Sequence, residues 1–182
     1  MYQYLEKINS PADLKQLKIS ELEVLAEEIR NFIIDKVGIN GGHLASNLGV
    51  VEMTIALHYV FDFKADHLLW DVGHQCYTHK ILTGRRDGFE LLRKEGGVSG
   101  FPQPAESEYD RFEVGHAGTS LATALGMGLA AEQNKTDEKI VAFVGDGSIV
   151  NGASFEAINN MQSLKRQMLI VLNDNSMSID VT

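Results

Sequence analysis

An α/β fold, with a parallel sheet covered by helices on both faces, is predicted by two apolar runs that each stop at a polar turn and by the room between them. The run Ile140–Val144 ends at Gly145-Asp146-Gly147-Ser148, and the run Met168–Leu172 ends at Asn173-Asp174-Asn175. Short apolar runs bounded by turn residues read as buried strands. The stretch between them holds one helix and a return, so both turns fall at the C-terminal rim of one parallel sheet. That rim is where open α/β sheets bind ligands.

The elements follow in order. Ser20 and Glu23 form a capping box ahead of a strong helix over Glu21–Lys36, which Gly38 ends. Apolar residues at helical spacing predict a second helix over Leu48–Phe61. Leu68-Leu69-Trp70 reads as a short buried strand ending at Asp71. Cys76–Leu82 reads as helical, stopped by Gly84, and Gly88–Lys94 as a short helix. Gly96–Phe112 is rich in Gly, Pro and polar residues, a long loop of the kind that is functional or mobile. Thr119 caps a helix running to Gln133, whose Gly126 and Gly128 allow close packing. The strand Ile140–Val144, a helix over Val150–Leu164 and the strand Leu169–Leu172 complete the alternation.

Composition bounds the rest. The 182 residues suit one domain, and 44% hydrophobic content is enough for an ordinary core. No apolar run is long enough to span a membrane, and Met1–Lys7 has no signal-peptide pattern. The single cysteine, Cys76, excludes an internal disulfide and suits a cytoplasmic protein. A net charge of −9 argues against nucleic acid as a partner.

The first turn carries specific chemistry. Glycines flanking Asp146 let the backbone turn tightly and let a ligand approach. Ser148 opens a predicted helix, whose free N–H groups suit a phosphate. A carboxylate beside a diphosphate would repel it unless a divalent cation sits between them. Asp146 and Asn175 offer hard oxygen donors, and Mg²⁺ takes few protein ligands plus phosphate oxygens. A nicotinamide site is excluded by spacing, because after Gly145 and Gly147 the next glycine is Gly152.

This Gly-Asp-Gly turn followed by a distant Asn resembles the metal-diphosphate motif of thiamin-diphosphate enzymes. Further phrases narrow the resemblance to the 1-deoxy-D-xylulose-5-phosphate synthase family. They are Gly41-Gly42-His43-Leu44-Ala45-Ser46-Asn47-Leu48-Gly49, Trp70-Asp71-Val72-Gly73-His74-Gln75, His79-Lys80-Ile81-Leu82-Thr83-Gly84-Arg85-Arg86, Glu106-Ser107-Glu108-Tyr109-Asp110 and Asn173-Asp174-Asn175-Ser176-Met177-Ser178-Ile179. They run in family order.

The resemblance implies a thiamin-diphosphate-binding fold, with residues 1–182 forming part of the diphosphate domain, incomplete at its C-terminus. The pyrimidine-binding and C-terminal domains are not in the sequence, so the isolated chain is expected to be inactive. It implies condensation of pyruvate with D-glyceraldehyde 3-phosphate, releasing CO₂, with thiamin diphosphate and Mg²⁺ as cofactors and a homodimer as the full-length assembly. By resemblance, Asp146, Asn175 and the Met177 carbonyl hold the metal. Gly147, Ser148, Asn175, Gly115, His116, Ala117 and His74 contact the cofactor, and His43 and His74 are catalytic. Ala117 replaces the family's usual small polar residue, which removes one hydroxyl contact. Two rivals remain: a non-catalytic fragment binding only diphosphate or a partner chain, and a split transketolase-type enzyme. The phrases at Gly41–Gly49 and Trp70–Gln75 argue against the latter.

His43, His74 and His116 each neighbour glycine in a predicted loop, where site residues concentrate. Imidazole titrates near neutrality and can shuttle protons. His58 and His67 read as structural, and Asn151 as a helix-surface residue. Arg85-Arg86 either attracts phosphate or forms surface or ion-pair contacts.

Overall fold

The computed structural model describes residues 2–174. They fall into two compact units that interleave along the chain. The first comprises the residues up to Asp62 together with His74–Ser107, and the second Phe63–Gly73 with the residues from Glu108 onward.

The first unit is helical. A 3₁₀ turn, Leu5–Lys7, precedes α1 (Pro11–Leu14), α2 (Ile19–Asn40), α3 (Ala45–Leu48), α4 (Val51–Val60) and α5 (Tyr77–Lys80). α2 buries Leu25, Ala26, Ile29, Phe32, Ile33 and Val37, the stripe that its periodicity predicts. It starts earlier than expected. The Glu21 carboxylate reaches back to accept the Lys18 N–H at 2.6 Å, so Glu21, not Glu23, closes the N-terminus. It also ends later. Gly38 stays helical, and Gly41, at φ +75°, terminates the helix by donating to the Val37 carbonyl at 2.8 Å.

Glu28 on α2 ties down the N-terminal segment by accepting the N–H groups of Gln3, Tyr4 and Leu5. The expected second helix is α4, which starts at Val51 rather than Leu48, and the short α3 ahead of it ends at Leu48. After α5 the chain widens over Ile81–Arg85, with Gly84 at φ +86°, and continues as a 3₁₀ stretch Arg86–Leu91.

The loop expected over Gly96–Phe112 is free of helix and strand, and Glu106 organises its first part. That carboxylate binds the fully buried Lys80 ammonium at 2.5 Å and the Ser99 N–H at 2.7 Å, with Arg85 at 3.4 Å. Arg85 also donates to Thr83 Oγ1 at 2.8 Å, and Arg86 to the Leu5 carbonyl at 2.5 Å. Of the two alternatives for this arginine pair, internal contact is the one observed.

The second unit holds the sheet. β1 (His67–Trp70), β2 (Ile140–Gly145) and β3 (Leu169–Asn173) are all parallel, in the order β1-β2-β3. α6 (Ser120–Asn134) links β1 to β2. α7 (Asp146–Ile149) and α8 (Gly152–Met161) link β2 to β3. The register pairs Leu69 with Ala142 and Ala142 with Ile170, placing all three on one face. There they join Ile140, Val144, Leu121 and Ala124 of α6, and Ala157 of α8 in one core. Each leucine, isoleucine or valine side chain stabilises the fold by about 1.5–3 kcal/mol when fully buried, and each alanine methyl by less.

Gly128 explains how α6 fits, since a side chain there would come within 3.1 Å of Leu164. Gly126 faces open space and has no such role. On the other sheet face the Trp70 and Phe143 rings stack with centroids 4.7 Å apart. No helix among the described residues is long and apolar enough to cross a membrane.

Candidate functional site

In the first unit the structure brings His43 and His74 together. Their rings meet edge to face, with centroids 5.2 Å apart, and the Phe101 ring lies 5.7 Å from His43. The approach to His43 needs two glycines. Gly41 and Gly42 have φ +75° and +145°, and a side chain at Gly42 would strike the Tyr77 hydroxyl at 2.7 Å. That hydroxyl accepts the His43 N–H at 3.3 Å.

His74 follows a strained turn. Val72 is held at φ +58°, a region unfavourable to a β-branched residue, and Gly73 at φ +88°. The two histidine segments are joined by Asn47, which is fully buried.

Burial, and then the Arg93 guanidinium, push the His43 imidazole below its ordinary value, so it is neutral at pH 7. Its Nδ1 is buried with no hydrogen-bond partner among the described residues. Burial raises the Tyr77 phenol, which therefore stays protonated. His79, by contrast, is engaged inside the unit, its Nδ1 lying 2.9 Å from His58 Nε2, with both rings buried.

In the second unit Asp146 opens α7 at the C-terminal end of the central strand, half-buried. Its carboxylate has no hydrogen-bond or ion-pair partner among the described residues. β2 and β3 are adjacent, with Gly145 in register with Asn173, so the two polar turns share one rim as expected. Gly147 is exposed and Ser148 half-buried. Asn175 and Met177 lie outside the described residues.

Gly115, His116 and Ala117 form an exposed loop ahead of α6. Gly118, at φ +81°, carries this loop against Asn151, whose side chain leaves no room for a Cβ there. Asn151 is exposed, as expected, but it stands at a helix start rather than within a helix. It caps α8, its Oδ1 accepting the Ala153 N–H at 3.0 Å. The Gly-Asp-Gly segment and the His116 loop are thus neighbours through the contact of Asn151 with Gly118. A cleft of about 430 Å³ beside this loop is lined by Trp70, Glu113, His116, Thr119 and Thr123.

Sequence reasoning missed Asp71. Its Oδ1 accepts the Gly118 N–H at 2.9 Å, and its Oδ2 accepts the Ser120 N–H and hydroxyl at 3.0 and 2.8 Å. The expected cap, Thr119, instead donates its hydroxyl to the His116 carbonyl at 3.1 Å. An acid at a strand's end ahead of glycine was the available signal. Asn47, Tyr77 and Arg93 were missed too. Arg93, at φ +62°, carries no sequence mark of its conformation.

No group of three or more His, Cys, Asp or Glu converges on a point among the described residues. The groups at the rim are instead a carboxylate without a partner among the described residues and open glycines. Neither Gly115 nor Gly145 has any atom within 4 Å of where a side chain would stand. This set fits a hard cation shared with an anionic ligand rather than an all-protein metal cage.

Comparison with known proteins agrees with the motifs. A family model described as 1-deoxy-D-xylulose-5-phosphate synthase matches residues 5–182. The 1-deoxy-D-xylulose-5-phosphate synthase of Dechloromonas aromatica is 58% identical over 175 residues, covering 96% of this chain and 28% of that protein. The synthase of Alkaliphilus oremlandii is 52% identical over 179 residues, covering 98% of this chain and 29% of its own length. The chain thus spans under a third of the length of these relatives. Among solved structures, a transketolase from Campylobacter jejuni superposes with a TM-score of 0.75 at 22% identity, over 90% of this chain and 29% of that one, which shows a shared α/β fold. The chain belongs to the 1-deoxy-D-xylulose-5-phosphate synthase family.

Proposed function

We propose that this chain supplies the metal-diphosphate part of an enzyme that condenses pyruvate with D-glyceraldehyde 3-phosphate to 1-deoxy-D-xylulose 5-phosphate and CO₂, a precursor for isoprenoid and thiamin synthesis. The observation that carries the proposal is the Asp146 carboxylate, without a partner among the described residues, at the C-terminal end of the central strand in a chain of this family. Asp146 would hold Mg²⁺, joined by Asn175 and the Met177 carbonyl. Gly147 and Ser148, with the Gly115-His116-Ala117 loop, would bind the diphosphate, and Asn175 and His74 would also touch the cofactor. When bound, thiamin diphosphate supplies the carbon nucleophile and the electron sink for decarboxylation.

The remaining work falls to the chain's own groups. His43 is neutral at pH 7, so its buried Nδ1 is free to take a proton and return it. His74 stands at its edge and shares that task. The Gly41-Gly42 turn sets His43 against Tyr77 and fixes where the proton is held. The proposed enzyme is a cytoplasmic homodimer, in which the buried Cys76 stays reduced.

The test is a chimera in which this chain replaces the matching segment of the Dechloromonas aromatica protein. It is assayed for CO₂ release and sugar phosphate formation with Mg²⁺, thiamin diphosphate and both substrates. Product is expected. A folded chimera that yields none, or that turns over only a ketose phosphate donor, refutes the proposal.

A further inference from the structure

We propose that Asn47 is the positioning residue that fixes His43 and His74 relative to each other. Asn47 acts through those two histidines, so its role rests on their proposed function.

The geometry is complete at one side chain. Nδ2 of Asn47 donates to the His43 carbonyl at 2.6 Å and to the His74 carbonyl at 2.9 Å. Its Oδ1 accepts the Tyr77 N–H at 2.9 Å. Two carbonyls and one N–H admit only one orientation of the amide, because the flipped form would set oxygen against oxygen twice. Asn47 is fully buried, and a buried amide is tolerated when its groups are bonded in this way.

The residues joined are far apart in sequence. His43 precedes α3, His74 follows the strained Val72-Gly73 turn, and Tyr77 opens α5. Tyr77 closes the loop a second time, since its hydroxyl accepts the His43 N–H. Both histidines are therefore anchored by their backbones to one amide, and their rings stand 5.2 Å apart as a consequence.

No other residue type does this at the same size. Leucine offers no hydrogen bond. Aspartate keeps the acceptor for Tyr77 and turns the donor into a third oxygen facing two carbonyls. The pair Asn47→Asp and Asn47→Ala thus separates the link between the histidines from packing and from the Tyr77 bond.

The readout is the titration of His43 and His74 in the 182-residue chain, followed by NMR on labelled histidine and assigned through His43→Gln and His74→Gln. Two imidazoles at this distance repel when both are charged. Even with the screening of bulk water, that moves a midpoint by roughly half a pH unit. Arg93 and Tyr77 also face His43, so the effect of His74→Gln is compared within each Asn47 background, where their contribution is common to both measurements.

With Asn47 present, His74→Gln is expected to raise the His43 midpoint by about that amount. In the Asn47→Asp and Asn47→Ala backgrounds the same change should move it by less than half as much. An equal shift with and without Asn47 overturns the proposal. Should both Asn47 variants fail to fold, the wild-type chain decides. Its Asn47 side-chain amide protons should exchange slowly and show contacts to the Hα protons of His43 and His74, and fast exchange without those contacts overturns it. A chimera that makes no product removes the proposed reaction and leaves this titration result standing.

Discussion

The Asp71 carboxylate, at the end of β1, accepts the Ser120 N–H at 3.0 Å and so caps α6 from another element. The same carboxylate holds the Gly118 N–H, leaving the His116 loop suspended between the strand's end and Asn151. Negative charge at a helix N-terminus also meets the positive end of the helix dipole. Asp71→Ala is expected to cost about 1.5–3 kcal/mol, the range for hydrogen bonds to a charged group, with Asp71→Asn costing less because one acceptor survives. Denaturant unfolding measures both. Equal midpoints for wild type and Asp71→Ala would remove Asp71 as the organiser of this loop.

The strands, the rim and the three loop histidines were legible in the sequence because apolar runs and glycine-bounded turns are local signals. What was not legible is held by contacts between distant segments. Asn47 lies in a phrase of small and polar residues that gives no hint of its three bonds to His43, His74 and Tyr77. The start of α2 was misplaced because Ser20 and Glu23 fit the capping pattern and Lys18, whose ammonium can accept nothing, does not. The helix begins earlier all the same, with only the Glu21 half of the box, its carboxylate accepting the Lys18 N–H. Asn151 is on the surface as read, but its contact with Gly118 was not legible because that glycine is remote in the chain.

Acid should weaken the fold through His43 and His67. Burial lowers both imidazoles, helped by Arg93 at His43 and Arg111 at His67. The unfolded chain, with ordinary histidines near 6.5, then binds more protons than the folded one, so stability falls as pH drops through that value toward the lowered folded ones. Below the folded values the loss is complete and stays constant. Urea midpoints between pH 8 and 5 are expected to decline for wild type, and less steeply for His43→Gln and His67→Gln. A wild-type midpoint that rises on acidification would contradict the burial of these rings.

The 182-residue polypeptide is expected to self-associate. Among the described residues β3 lies at one edge of the sheet, with Leu169 and Leu172 42% and 46% exposed, and α8, which precedes it, leaves Phe155 59% exposed. Exposed apolar groups beside a strand edge promote pairing between copies. Light scattering should show mass rising with concentration. Phe155→Ser with Leu172→Thr should reduce it, and a clean monomer over a wide concentration range would count against this surface.

Asp146 is the sharpest single test of the proposed site. It is the one carboxylate within the glycine turn, half-buried, and its removal breaks no hydrogen bond or ion pair among the described residues. Asp146→Ala should therefore leave the chimera's thermal stability nearly unchanged while cofactor binding suffers. Truncating one member of a buried charge pair costs about 2–5 kcal/mol, which corresponds to roughly a 30-fold or greater loss of affinity. Asp146→Asn keeps an oxygen donor but loses the charge, and should fall between Asp146→Ala and wild type. Calorimetry of thiamin diphosphate binding, with and without Mg²⁺, reads the effect without relying on turnover. The loss should appear only in the presence of Mg²⁺, because without the metal the carboxylate repels the diphosphate and its removal should then slightly improve binding. Unchanged affinity in Mg²⁺, or the same loss with and without it, would take Asp146 out of the metal site.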